Sequence, residues 1–141
     1  MNSKDKETLN TETIKKFIKL LNTFNSLSES IHSSALTTTD GYAIASRLSE
    51  GVDPDRFGAM CASLLALANT ASREIDRGDL RKVLIESEDG SVLIIDVGNN
   101  LVLTVAAGLG LPIGRIFLEA KKTAAEINTV VENSGWQPGI S

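Results

Sequence analysis

A single cysteine, Cys61, occurs in the 141 residues, so no disulfide can form within the chain. There is one histidine, His32, and no His, Cys or carboxylate cluster at metal-ligand spacing. That leaves no readable metal site, no cofactor site, and no acid–base or nucleophile set on which to build catalysis. Aromatic residues are only 4% of the sequence and the net charge is −4, which removes both the stacking platforms and the basic field that nucleic-acid binders use. No apolar run approaches the roughly 18 residues needed to span a bilayer, so direct membrane insertion is not expected. The polar start Met1–Glu7 holds Lys4 and Lys6 with no apolar stretch behind them, which reads against a secretory leader. A reducing, cytoplasmic setting is the expectation.

One glycine-rich stretch invites a nucleotide-binding reading. Gly108-Leu-Gly110-Leu-Pro-Ile-Gly114 falls between a strand-like and a helix-like segment. It is no Walker loop, because no Gly-Lys-Ser/Thr follows. It is a poor dinucleotide fingerprint as well, because its spacing is one residue too long and Pro112 interrupts it. A tight turn ahead of the last helix is expected, with Arg115 offering at most a weak anion site.

What is present is an ordinary globular composition, 42% hydrophobic and 23% charged, at a length suited to one domain. A first helix is predicted over 10–27, capped by Asn10, with Ile14, Phe17, Ile18, Leu21 and Phe24 at helical spacing. Ser30–Thr39 and Tyr42–Leu48 flank Asp40-Gly41, a hairpin signal. Asp53 and Pro54 open a second helix that runs to about Ile75. Strands follow at Leu80–Glu88, Ser91–Val97 and Leu101–Ala107, joined by turns at Asp89-Gly90 and Gly98-Asn99-Asn100. The run Val92-Leu-Ile-Ile95 does not alternate, so that strand should be covered on both faces. A last helix is predicted over Ile113–Val131. Residues 1–9 read as a flexible leader and 132–141 as a flexible tail, in which Trp136 either docks on the domain or a partner or stays free.

The second helix carries the most information. From Phe57 to Ala71 it holds no charge, a length of roughly 22 Å as helix. A monomer's surface helix needs a wet, charged face. Phe57, Met60, Cys61, Leu64, Ala68 and Ala71 can face the sheet, which puts Ala62, Leu65, Ala66 and Asn69 on another side, where small residues would admit a second helix. A dimer interface is therefore expected there.

Four stretches together resemble the roadblock/LC7 superfamily: the hairpin Ala35–Ser46, the small-residue helix from Ala59 to Ala68, the strand entry Gly78–Glu86, and Leu111–Ile127 in the last helix. They cover about residues 10–131. The resemblance implies an α/β (α+β), three-layer αβα domain with a five-stranded antiparallel sheet and element order α-β-β-α-β-β-β-α. It implies homodimers, or heterodimers with a related protein, that join sheets edge to edge. Ala59, Ala62, Ser63, Ala66 and Asn69 map to the helix of that interface and Lys82, Leu84 and Glu86 to the edge strand; Leu65 is added by the helical reading. It also implies no catalytic residues and a scaffold that binds and regulates a small Ras-like GTPase. The alternatives are a structural adaptor in a larger complex and a small-molecule-sensing module.

Overall fold

The computed structural model describes residues 3–136, with side chains described from residue 10 onward. Eight elements follow in the order α1 (Ser3–Asn25), β1 (Ile31–Thr38), β2 (Ala43–Arg47), α2 (Pro54–Glu74), β3 (Lys82–Ser87), β4 (Gly90–Gly98), β5 (Leu101–Ala107) and α3 (Ile113–Ser134). They form the predicted α+β arrangement around one antiparallel sheet, in the order β2-β1-β5-β4-β3. The edges are thus β2 and β3, and β5 lies in the middle. It is the last strand in the chain, and it is buried almost throughout.

Helix α1 begins at Ser3, so Asn10 lies inside it rather than capping it. Ser3–Leu9, expected as flexible leader, contains neither Pro nor Gly and includes Lys4, Lys6, Glu7 and Leu9, all good helix formers. Met1 and Asn2 of that leader lie outside the described residues. The start of α2 is as predicted. Asp53 caps it, its carboxylate accepting from the Asp55 backbone N–H at 3.0 Å, and Pro54 occupies the first turn, where its missing N–H costs nothing. The turn between β4 and β5 sets Asn99 and Asn100 at φ 54° and 60°, the left-handed region that asparagine tolerates.

The two faces of the sheet are covered unequally. Helices α1 and α3 pack together on one face, over Leu36, Leu93, Ile95, Leu103 and Val105, and supply Phe17, Leu21, Phe24, Ile116, Ala120 and Ile127. Helix α2 covers the other face alone. The buried cluster beneath it is Cys61, Leu65, Ile94 and Val102, edged by Phe57, Leu80, Val83 and Val92. Strand β1, weakly apolar in sequence, is buried at every position but His32, because Ser33, Ser34, Thr37 and Thr38 are small enough to fit between sheet and helices.

The chain end differs from the expected tail. Helix α3 continues to Ser134, ends on Gly135 in the left-handed conformation at φ 70°, and turns Trp136 back onto the core. The indole is buried, edge-on to Phe17 of α1 with ring centroids 5.4 Å apart, and the Trp136 backbone N–H donates to Ser134 Oγ. The rest of the tail, 137–141, lies outside the described residues. Trp136→Ala should cost about 3 kcal/mol, read from the urea midpoint. As the only tryptophan, its emission should be that of a buried indole in the native state, and an unshifted, solvent-like spectrum would contradict this placement.

Candidate protein-interaction surface

Helix α2 is set close to the sheet by Gly58. A Cβ at this position would fall 2.7 Å from Thr37 Cγ2 of β1, so any side chain would push the helix outward. One turn further on, Cys61, Ala62 and Leu65 complete the inward face. At the far end, Asn69 Oδ1 accepts from the Leu80 backbone N–H at 2.9 Å and ties the helix to the start of β3.

This inward face is rotated from the predicted one. Ala62 and Leu65, expected on the outer side, are buried against the sheet, whereas Met60, Leu64 and Ala71, expected to face it, are exposed. The close approach at Gly58 selects the rotation. With a hydrogen atom facing Thr37, the helix settles on the 58–61–62–65 stripe, and the larger side chains of the neighbouring stripe turn outward. A glycine inside an otherwise helical pattern was the signal that could have revealed this.

The outward band is Ala59, Met60, Ser63, Leu64, Ala66, Leu67 and Thr70, all exposed and none charged. Leu67 is 70% exposed and Met60 50%. The charged residues of α2 stand at its two ends, Asp55 and Arg56 at the start, Arg73 and Glu74 at the finish. Tyr42, 71% exposed, stands in the β1–β2 loop, whose Gly41 abuts Ala59. Of the nine residues assigned to an interface from sequence, Ala59, Ser63 and Ala66 lie on the outward band, Asn69 is half-buried, and Ala62 and Leu65 are turned inward. Lys82, Leu84 and Glu86 lie exposed on β3, which pairs with β4 on one side and leaves its other edge open. The opposite edge is partly closed, since Asn25 Nδ2 of α1 donates to the Arg47 backbone carbonyl of β2.

The groups considered for chemistry fall apart. His32 is exposed at the start of β1, its ring beside Gly108. Gly110 is backed against the Ser30 hydroxyl, so the glycine loop is accounted for by close packing. Glu86, Glu88 and Asp89 are exposed at the β3–β4 turn. Burial pushes the Cys61 thiol up, opposed in part by the Thr104 hydroxyl. Among the described residues no group of His, Cys, Asp and Glu could hold a metal ion.

The Roadblock/LC7 domain matches residues 19–107 of the chain. Two uncharacterised proteins of Methanocaldococcus jannaschii are each 32% identical to it over 102 residues, spanning 72% of this chain and 89% of theirs. Among solved structures, Myxococcus xanthus MglB superposes with a TM-score of 0.79 at 17% identity, over 89% of this chain and 94% of that one. A Roadblock/LC7 domain from Streptomyces avermitilis gives 0.76 at 19% identity, over 82% and 97%. The same fold extends to Acanthamoeba castellanii profilin IB, at 0.60 and 16% identity, over 80% and 98%.

Three measurements check the seating of α2. Gly58→Val should cost about 2–3 kcal/mol in a denaturant titration, Gly58→Ala less because of its better helix propensity, and Thr37→Ser should recover part of either loss. The raised thiol works in one direction with pH. Its contribution is intact below the ordinary thiol range and is lost as pH rises through the folded-state value. Stability should therefore fall at alkaline pH in the wild type and less so in Cys61→Ala, and a thiol reagent at neutral pH should label Cys61 only as fast as the domain opens.

Proposed function

The chain belongs to the Roadblock/LC7 domain family, and from that premise we propose that it is a non-catalytic, dimeric scaffold that binds and regulates a small Ras-like GTPase. The observation that carries this reading is the uncharged outer band of α2 beside an open β3 edge. An apolar helix face without charge is unfavourable in water, and a second copy about a two-fold axis removes both exposures at once. Ala59, Ser63 and Ala66 are small enough for backbones to approach, while Met60, Leu64 and Leu67 supply apolar area. The charged residues of α2, Asp55 and Arg56 at the start and Arg73 and Glu74 at the finish, stand outside this band and leave it free to be covered. The β3 edges, carrying Lys82, Leu84 and Glu86, extend the sheet from one copy into the next.

Such an assembly presents a two-fold surface and needs no reactive group of its own. Regulation would act through the switch loops of a bound GTPase, by favouring one of their arrangements. A cytoplasmic location suits such a partner. The second reading, a structural adaptor, uses the same dimer and differs only in what binds.

Sedimentation of the wild type should give a dimer, and Ala66→Glu a folded monomer, since a buried, unpaired carboxylate is costly at a closely packed helix interface. A pull-down from the source cell's lysate, loaded with GDP or a non-hydrolysable GTP analogue, should enrich a Ras-like GTPase in one nucleotide state. A wild-type monomer at high micromolar concentration would overturn the dimer. A dimer that captures no GTPase in either state would leave the adaptor reading.

A further inference from the structure

On the face opposite α2, between α3 and the β3–β4 end of the sheet, runs an open trough of about 680 Å³. Its apolar lining includes Ile95, Phe117 and Ala124, and its basic residues are Arg81, Lys82 and Lys121. The one acid that lines it is Asp96, whose Oδ1 already accepts from the Gly98 N–H at 3.0 Å. Lys82 Nζ stands 3.4 Å from the centroid of the Phe117 ring and Lys121 Nζ stands 5.6 Å from it. Two ammonium groups thus converge on one aromatic ring, in a chain whose net charge is −4. Among the described residues, ion pairs are confined to Arg73–Asp79 and to Glu119 with Arg115 and Lys122, so the trough's three cations are unpaired.

The π face offsets part of the repulsion between the two lysines, but a carboxylate would satisfy both. Along α3 the lining runs from Phe117 to Asn128, roughly 16 Å of helix. That length, open on one side, suits about five residues of extended chain. A compact anion would fill only a fraction of it.

We propose that this trough docks an acidic segment of a partner protein, one that sets an Asp or Glu carboxylate against Lys82 and Lys121 and an apolar side chain on Phe117. The site goes beyond the GTPase-scaffold reading and does not rest on it, because α2 lies on the other face of the sheet. Lys82 also belongs to the β3 edge, so assembly is followed separately in the test.

A random peptide-display library selected on the full chain should return sequences rich in Asp and Glu interspersed with large apolar residues. Their affinity should weaken by roughly tenfold in K121E and further in K82E/K121E, and should fall as salt rises. K15E/K16E, the same charge change on the exposed side of α1, should leave it unchanged. Sedimentation should show K121E assembling as the wild type does, whatever the state of the wild type. No acidic enrichment, equal binding by K82E/K121E, or equal weakening by K15E/K16E would overturn the proposal. So would loss of binding only when assembly is lost. Saturable binding of free glutamate or inorganic phosphate as tight as that of the peptides would replace it with a small-anion site.

Discussion

A five-stranded sheet with two faces to bury and three helices to bury them sets the terms for this molecule. Two helices on one face make a closed core, in which α1 and α3 meet each other as well as the sheet and Trp136 locks the far end against Phe17. The third helix cannot do as much alone. It covers the centre of its face through Cys61 and Leu65, with no second helix beside it, and the outer edge of β3 is left unpaired. Three features of this face follow from that shortfall: an apolar helix face with no second layer, a free strand edge next to it, and charges held to the helix ends.

The hydrophobic effect explains why this half-covered face persists. Charges along the outer band of α2 would make a monomer more soluble, yet the sequence keeps fifteen consecutive residues of that helix uncharged. The inner face explains only the 58–61–62–65 stripe. Helix propensity favours Ala, Leu and Met, but it favours Lys, Arg, Glu and Gln about as well as Leu and Met, so it does not explain the apolar choice at Met60, Leu64 and Leu67, which gain nothing from facing water. A covering surface accounts for all of them together, and small residues at 59, 63 and 66 give that surface room to come close.

Much of this was legible in the sequence because it rests on local chemistry. Asp53-Pro54 marks a helix start, the Asp-Gly and Asn-Asn pairs mark reversals, and the 2- and 3.6-residue periods separate strands from helices, so the order of all eight elements could be read. What was not legible depends on contacts distant in sequence. The rotation of α2 is decided by the meeting of Gly58 with Thr37, twenty-one positions away, and helical periodicity alone assigned the wrong stripe. Strand β1 is buried because hydroxyl-bearing residues happen to fit beneath two layers, which hydropathy does not register. The start of α1 was misplaced because a good capping residue, Asn10, also sits comfortably in a helix when the residues before it are helix formers. Trp136 was ambiguous because its partner is Phe17, at the other end of the chain.

The same distance in sequence hides the trough beside α3. Lys82 and Phe117 are thirty-five positions apart, and neither belongs to a motif; only the antiparallel order β5-β4-β3 brings the start of β3 under the first turns of α3. The chain's acidity then sharpens the meaning of the place. On a basic protein three neighbouring cations would be background. On one with net charge −4 they are a local reversal of sign, and leaving them unpaired costs electrostatic energy that a nearby Glu or Asp could have removed at no expense to the fold. Glu119, two positions from both Phe117 and Lys121, instead pairs with Arg115 and Lys122 outside the trough. That carboxylate is thus spent on other cations, the remaining acids of α3, Glu126 and Glu132, do not line the trough, and the positive charge over Phe117 is left facing outward, where a partner can supply what the domain does not.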